Sequence, residues 1–458
     1  MMFLQFFIWG SWYVTAPNYL GTIGFNATDF GWTYSVGPIA GMLSPILVGV
    51  LADRFFSAQK VLAILHLLGG GIMLAAAEGM EAGFKPSSIN SLFFAYMLAY
   101  YPSLALANTI AMRNMPNPER QFPGVRALGG IGWIIAGVGL SAFGWGTKIE
   151  MFRLAACASF VLGGFAFFLP DTPPSGSRSG SLREMFSLDA LVLLKNRSYQ
   201  VFIICSTLIC IPLAFYYQIT SRLVEMVDFG GSGILQSLKS LLQMGDVIGA
   251  TMSLGQVSEI IFMLVMPFFF TRLGVKWMLA VGMLAWIARY TLFALGAPDQ
   301  IRWMILIGIL LHGVCYDFFF VTGQIFTDRI APKELRGQAQ GMLVFFTLGV
   351  GMFVGAQVAG RVESFCTTAE SRAFASEITL LQLEAQTLEQ GAGEKDSHSA
   401  TGQRISEIRN KEIPALRKSE LEAIDWKPLW GIPAAFAGIV LLAFLMLFKS
   451  PQPLTKHV

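Results

Sequence analysis

The residues best placed to do chemistry in this chain are polar side chains set at helical spacing inside long apolar runs. Arg126 and Trp133 stand seven apart, Gln218 and Ser221 three, Gln256 and Glu259 three, and His312 and Tyr316 four, with Asp317 adjacent. Residues three, four or seven apart share one face of a helix. Ionisable groups inside apolar spans are costly and by default mark a pathway. If the four faces converge, they form a pocket with aromatic rings to stack on and with amide, carboxylate and hydroxyl groups for hydrogen bonds. That set suits a polar, planar, uncharged solute. A carboxylate's charge is expensive in such surroundings and uptake of a proton relieves it, so Glu259 is the first candidate proton carrier and Asp317 the second. Each residue also has a plainer reading. Glutamines staple spans, Arg126 could snorkel, His312 could bond a carbonyl, and Trp133 and Tyr316 could be packing. Glu259, a lone carboxylate well inside an apolar run, is the hardest to read that way.

The elements that must position these groups are membrane helices. Of 458 residues, 54% are hydrophobic and 13% charged, where a soluble chain carries roughly 25% charge; the mean hydropathy is +0.58. Apolar runs of about 17 to 25 residues are long enough to cross a bilayer as helix, and continuous rather than alternating runs argue against a barrel. Twelve spans are expected, near 2–23, 30–52, 61–80, 90–112, 126–146, 151–170, 199–226, 251–271, 276–296, 302–327, 338–360 and 428–448. The chain opens already apolar at Met1-Met2-Phe3-Leu4, without a basic region or small-residue cleavage site. We therefore expect no cleavable signal, and a few further residues upstream.

The polar stretch at 171–198, rich in Pro, Ser and Gly, reads as a cytoplasmic linker between an N-terminal half (1–170) and a C-terminal half (199–458) of six spans each. Lys and Arg concentrate on one side, at Arg54, Lys60, Arg113, Arg120, Arg178, Arg183, Arg272, Lys276, Arg329 and Arg336 among others. The other side holds only Lys85, Lys148, Arg153, Arg222, Lys239 and Arg302, in short loops and the span ends beside them. The basic side is cytoplasmic by the positive-inside rule, which places both termini inside. The halves echo each other, since Lys60 and Lys276, and Arg120 and Arg336, are each 216 positions apart, as in transporters built from repeats. Residues 361–427 break the pattern. They form a charged extracytoplasmic insertion with two helix-like stretches, read as a solvated hairpin carrying Ile378, Leu381, Leu388, Ile405, Ile408 and Leu416 on its inner face.

Gly49-Val50-Leu51-Ala52-Asp53-Arg54, followed by Lys60, lies between spans two and three. It resembles the loop signature of the major facilitator superfamily, with Phe56 where a second glycine is usual. The implied fold is an all-α membrane protein of twelve helices in two six-helix halves, and the implied role of Gly49, Asp53, Arg54 and Lys60 is conformational gating. The resemblance sharpens over nearly the whole chain, through Phe3 to Trp12, Gly129 to Gly132, Gln256 to Glu259, Tyr316 to Phe319 and Ala339 to Met342. Along these segments the chain resembles the nucleoside:proton symporter family. The family's substrate pattern then falls on Arg126, Gly130, Trp133, Gln218, Ser221, Gln256, Glu259, His312 and Tyr316. Arg126, Gln218, Gln256 and Glu259 keep the family's residue types. Gly130, Trp133, Ser221, His312 and Tyr316 stand where Thr, Phe, Asn, Tyr and Phe are expected.

The resemblance implies import of nucleosides by proton symport through alternating access, with nucleoside and proton as co-substrates in an inner membrane and the protein a monomer. The alternatives are an importer of another neutral solute (sugar, oligosaccharide or muropeptide) or a sensor without flux. Nothing in the chain calls for a cofactor or metal. The histidines (His66, His312, His398, His457) are scattered, the five cysteines have no ligand or disulfide spacing, and no His-Glu-x-x-His or Gly-x-Ser-x-Gly stretch suggests an enzyme. A net charge of +3 spread through loops argues for no nucleic-acid partner.

Overall fold

The computed structural model describes residues 1–51, 56–174, 188–227, 229, 237, 239–241, 243–391 and 400–449; of 45–51, 118, 119 and 391 only the backbone is described. Among these residues the chain is helical, with one isolated bridge between Thr367 and Ile424. All twelve expected spans are present. Span one is Met2–Gly10 continued by Ala16–Leu20 after a turn, and spans two to six are Ala27–Leu51, Ala58–Glu81, Pro86–Arg113, Pro118–Phe143 and Glu150–Ala166. Span seven is Arg197–Val227 and span twelve Trp426–Leu447.

Spans eight and nine run as one helical trace, Ile248–Gly296, broken at Gly274 (φ 66°, ψ 178°). That backbone is open to glycine and closed to other L-residues, which is why the turn between the two spans needs no loop. Span ten runs from Arg302 to Ile330 and span eleven from Lys333 to Cys366. Each contains a π-helical turn, Asp317–Val321 and Phe345–Gly351. Such turns insert a residue into the ladder and frequently sit at functional sites. The one in span ten begins at Asp317 itself. Span eleven extends past its expected end at 360, because Val362, Glu363 and Cys366 continue its packed face.

The expectation of a solvated hairpin at 361–427 is corrected in one respect. Helix Ala369–Gly391 and the helices Ala400–Glu407 and Ile413–Glu422 do close on each other, through Ile378, Ala385, Ile408 and Ile413. Arg404–Glu384 and Arg409–Glu389 ion pairs span the two arms. The hairpin is also docked on the bundle. Arg417 is buried, pairs with Glu420 at 2.6 Å and Glu225 at 3.7 Å, and donates to the Pro17 carbonyl at the end of span one. Exposed pairs contribute little; the buried Arg417 is the one whose loss would be felt.

The span ends that carry this hairpin form one face of the bundle, and the ends that carry the interhalf connection form the other; we call them the insertion face and the linker face. Spans one and five, two and eleven, and five and eight pack closely. The hydrogen bonds joining the halves among the described residues gather toward the insertion face. Asn18 Nδ2 donates to the Ser221 carbonyl at 3.4 Å, and Gln357 Nε2 to Ser35 Oγ at 2.8 Å. Ser141 Oγ donates to Asp246 at 3.0 Å, and the Gly146 amide to the same carboxylate at 2.9 Å. Burial lifts the Asp246 carboxyl above the ordinary range, and these donors together with the Ile248 amide pull it back. Span five meets span eight at Gly137 and Gly249, where a methyl on either would overlap the facing backbone. Small residues of this kind let membrane helices approach closely, and each interhelical hydrogen bond adds only about 0.6 kcal/mol. The close glycine contact is therefore an essential part of the seal beside those bonds. Gly249→Val should pry the insertion face open. In a chain freed of its five cysteines, a cysteine at Ser253 should react with a membrane-impermeant maleimide several-fold faster in that variant than without it.

Candidate functional site

Span one carries the start of the site. Trp9 and Tyr13, one turn apart, meet edge to face with ring centroids 5.4 Å apart. Trp9 also meets Trp133 of span five at 5.6 Å and Tyr101 of span four at 5.9 Å. Tyr13 meets Tyr217 of span seven across the halves at 5.5 Å. Close approach of spans one and five makes this possible, since the Cβ that Gly10 lacks would lie 3.0 Å from the Trp133 Cα. The result is an aromatic wall near midspan that both halves share.

Beside it stand the charged groups. Arg126 is exposed, and its guanidinium lies 4.1 Å from the Phe6 ring centroid, a cation–π contact that holds the head in place. It lies within Coulombic reach of Glu259 from the other half, and both charges act on Tyr316. Glu259 keeps 26% of its side chain accessible, and its Oε2 is 4.0 Å from His312 Nε2. His312 is buried, stacks on Tyr216 with centroids 5.2 Å apart, and stands 5.9 Å from the Tyr316 ring. Gln256 is half-buried with an Oε1 that has no hydrogen-bond partner among the described residues. Asp317, one residue past Tyr316, is fully buried, also without a hydrogen-bond partner among them, and within reach of the Glu259 charge. Glu259, His312, Tyr316 and Asp317 thus lie together in the C-terminal half, with Arg126 of the other half in electrostatic range of Glu259.

Gln218 and Ser221 are engaged elsewhere. Gln218 donates to Glu363 Oε2 at 3.0 Å, and Ser221 gives its carbonyl to Asn18 while its hydroxyl is unpartnered among the described residues. Glu363 also holds Arg222 in a buried ion pair at 2.7 Å. Arg222, read from the sequence as a span-end charge, is 3% exposed and lies 4.5 Å from the Phe30 ring centroid. Of the loop signature, Gly49 is described in backbone only, Asp53 and Arg54 lie outside the described residues, and Lys60 is exposed at the start of span three. Its neighbour Gln59 ties this loop to the linker, donating to Asp171 and accepting from the Thr172 amide at 2.9 Å. The Asp171 carboxyl is held below the usual range by hydrogen bonds from Gln59 and Ser57.

Sequence reasoning missed Trp9, Tyr13, Tyr101 and Tyr217, whose signal is lost among many aromatics. It also missed Arg289, although an arginine inside span nine is the same kind of signal that picked out Glu259.

A family model described as nucleoside H+ symporter matches residues 1–386. The chain belongs to the nucleoside H+ symporter family. A putative nucleoside transporter (YegT) of Escherichia coli strain K12 is 42% identical over 371 residues, covering 79% of this chain and 82% of that protein. The nucleoside permease NupG of the same organism is 33% identical, covering 80% and 87%. The crystal structure of NupG superposes with a TM-score of 0.76 at 27% identity over 98% of each chain. An inward-facing bacterial homologue of a lysosomal transporter, Spinster, shares the fold at a TM-score of 0.63 and 15% identity. The symporter is accordingly a twelve-helix transporter of the major facilitator fold, a membrane protein that imports nucleosides with protons and not an enzyme.

The buried Arg222–Glu363 pair makes a clear prediction. Removing one partner strands a charge in an apolar interior and costs about 3–5 kcal/mol, whereas replacing both with apolar residues is close to neutral. Glu363→Ala should lower the melting temperature of the purified symporter in detergent markedly, and the Arg222→Met/Glu363→Met double variant should recover most of the loss.

Proposed function

We propose that the nucleoside binds midway between the halves, with its base against the wall of Trp9, Trp133 and Tyr316 and its polar edge against Gln256, Glu259 and His312. The observation that carries this reading is the ring wall that runs from Trp133 and Trp9 through Tyr13 to Tyr217 of the other half, with Glu259 and His312 unbonded to each other at 4.0 Å. Stacking suits a base, and amide and carboxylate groups suit base edges and ribose hydroxyls. Relatives named as a nucleoside permease and a xanthosine permease support a nucleoside over a sugar. Gln218 and Ser221 join the pocket when Gln218 turns from Glu363 to the solute.

The proton travels on Glu259, with Asp317 as the second carboxyl in reach. Protonation removes a charge from a site that must cross between faces, so the loaded carrier moves without an uncompensated carboxylate. Closure at the insertion face, with Arg126 and Glu259 still partly accessible, corresponds to a carrier open toward the linker face. The Lys and Arg bias supports a cytoplasmic linker face, with both termini inside and the hairpin outside; the membrane we propose is an inner membrane, and the protein a monomer. Gly49, Asp53, Arg54 and Lys60 would act when the linker face closes in turn.

Purified symporter in liposomes, with an acidic exterior and labelled uridine, tests the reading. Uptake should rise with the imposed gradient and be competed by adenosine but not by sugars. Glu259→Gln should keep counterflow exchange and lose uphill accumulation; accumulation driven as well by acid in that variant as in the native chain would overturn the assignment of Glu259.

A further inference from the structure

Arg289 lies in span nine with no accessible surface and has no assigned part in substrate or proton binding. Its guanidinium is laid over the Tyr216 ring at 3.5 Å from the centroid, with Trp286 and Phe293 at 5.4 and 5.9 Å. One nitrogen, Nη1, sits 3.2 Å from His312 Nδ1. Among the described residues no carboxylate forms an ion pair with it; the nearest chain of contacts to one runs through His312 to Glu259.

A guanidinium has five donors and no acceptor, and keeps its charge at any pH a protein meets. The His312 nitrogen facing it must therefore present a lone pair. With Nδ1 an acceptor, the neutral ring carries its proton on Nε2, and a cationic ring, a donor at both nitrogens, is excluded by the same contact. The ring cannot easily turn over to escape. It is stacked on Tyr216, and across it the Cβ that Gly255 lacks would be 3.3 Å from the His312 Cβ.

We infer that Arg289 is a positioning residue for specificity: it fixes His312 as a neutral Nε2–H donor aimed into the nucleoside site beside the Glu259 acceptor. This rests on the placement of the nucleoside proposed above. Nε2 and Glu259 Oε2 are 4.0 Å apart, longer than a hydrogen bond, so each is free to take a different atom of one ligand edge. A neighbouring donor and acceptor match a base edge with a carbonyl or ring-nitrogen acceptor next to an N–H. In uridine those atoms are O4 and N3–H. Where a tyrosine hydroxyl could turn to donate or accept, the histidine held by Arg289 can only donate.

The test compares uptake of uridine, 4-thiouridine, which keeps the N3–H but has a weakly accepting sulfur in place of O4, and 3-methyluridine, which lacks the N–H, by the native chain, Arg289→Lys and Arg289→Met in liposomes. The native chain should prefer uridine to 4-thiouridine by up to about tenfold, the size of one hydrogen bond, and to 3-methyluridine similarly. Lysine, also only a donor, should preserve the preference. Methionine frees the tautomer, so the preference for the O4 acceptor should collapse toward one through KM, while discrimination against 3-methyluridine persists. An unchanged preference in Arg289→Met overturns the inference. Should that variant fail to fold, ¹⁵N spectra of the histidine-labelled native protein, assigned with His312→Gln, give a second reading. A proton on Nε2 alone supports the inference, and a proton on Nδ1 or a cationic ring overturns it. If no nucleoside is carried at all, the proposed function falls while the spectra still decide the role of Arg289.

Discussion

The constraint on which this structure depends is that charge inside an apolar bundle must be held by other protein groups. Arg222 is held by Glu363, Arg417 by Glu420 and Glu225, and Arg289 by the faces of Tyr216 and Trp286 and the lone pair of His312. Taking such ions out of water costs several kcal/mol each, so these contacts are obligatory. Two of them tie spans seven and eleven and the hairpin together on the insertion face. The third holds His312 in place beside Glu259. Glu259 and Asp317 are the contrast, a partly accessible carboxylate and a buried one that have no cation at bonding distance among the described residues. Groups left in that condition are the ones a passing proton or substrate can satisfy.

The same physics divides the bundle into a tight region and a loose one. Toward the insertion face, glycines at 137 and 249 bring backbones into contact, and the Ser141–Asp246 and Asn18–Ser221 bonds cross between the halves. Near midspan the contact between the halves is ring to ring, Tyr13 to Tyr217, with no hydrogen bond between those two side chains. A solute seated at the rings can thus be gripped or released by rocking of the halves, while the docked hairpin adds Arg417 to what must come apart on the far side. The π-turn at Asp317 places a ladder defect in the same layer, where backbone adjustment is easiest.

The polar pairs read from spacing divide along similar lines. Glu259 comes within 4.0 Å of His312 from a neighbouring span, on faces that an α-helix fixes whatever packs against it. Gln218 obeys the same rule on its own helix yet gives its amide to Glu363, a residue that the sequence boundaries had put in the insertion. Arg222 looked like an ordinary end charge because distance along the chain says nothing about a partner in span eleven. Trp9 and Tyr13 were in plain view one turn apart, but in a chain that is 13% aromatic nothing distinguishes a wall from packing until the opposite wall is known.

The sequence by itself determined the all-α class, twelve spans, the fold family and the carboxylate at the centre. These follow from hydropathy, helical period and local motif, which act within a window of a few turns. Only the tertiary structure decided that the insertion docks through Arg417, that Gln218 and Arg222 share Glu363, that the seam lies at the insertion face and that Arg289 meets His312. Each of these joins residues from different helices. Their meeting depends on helix packing and on the low dielectric between helices, which no local pattern encodes.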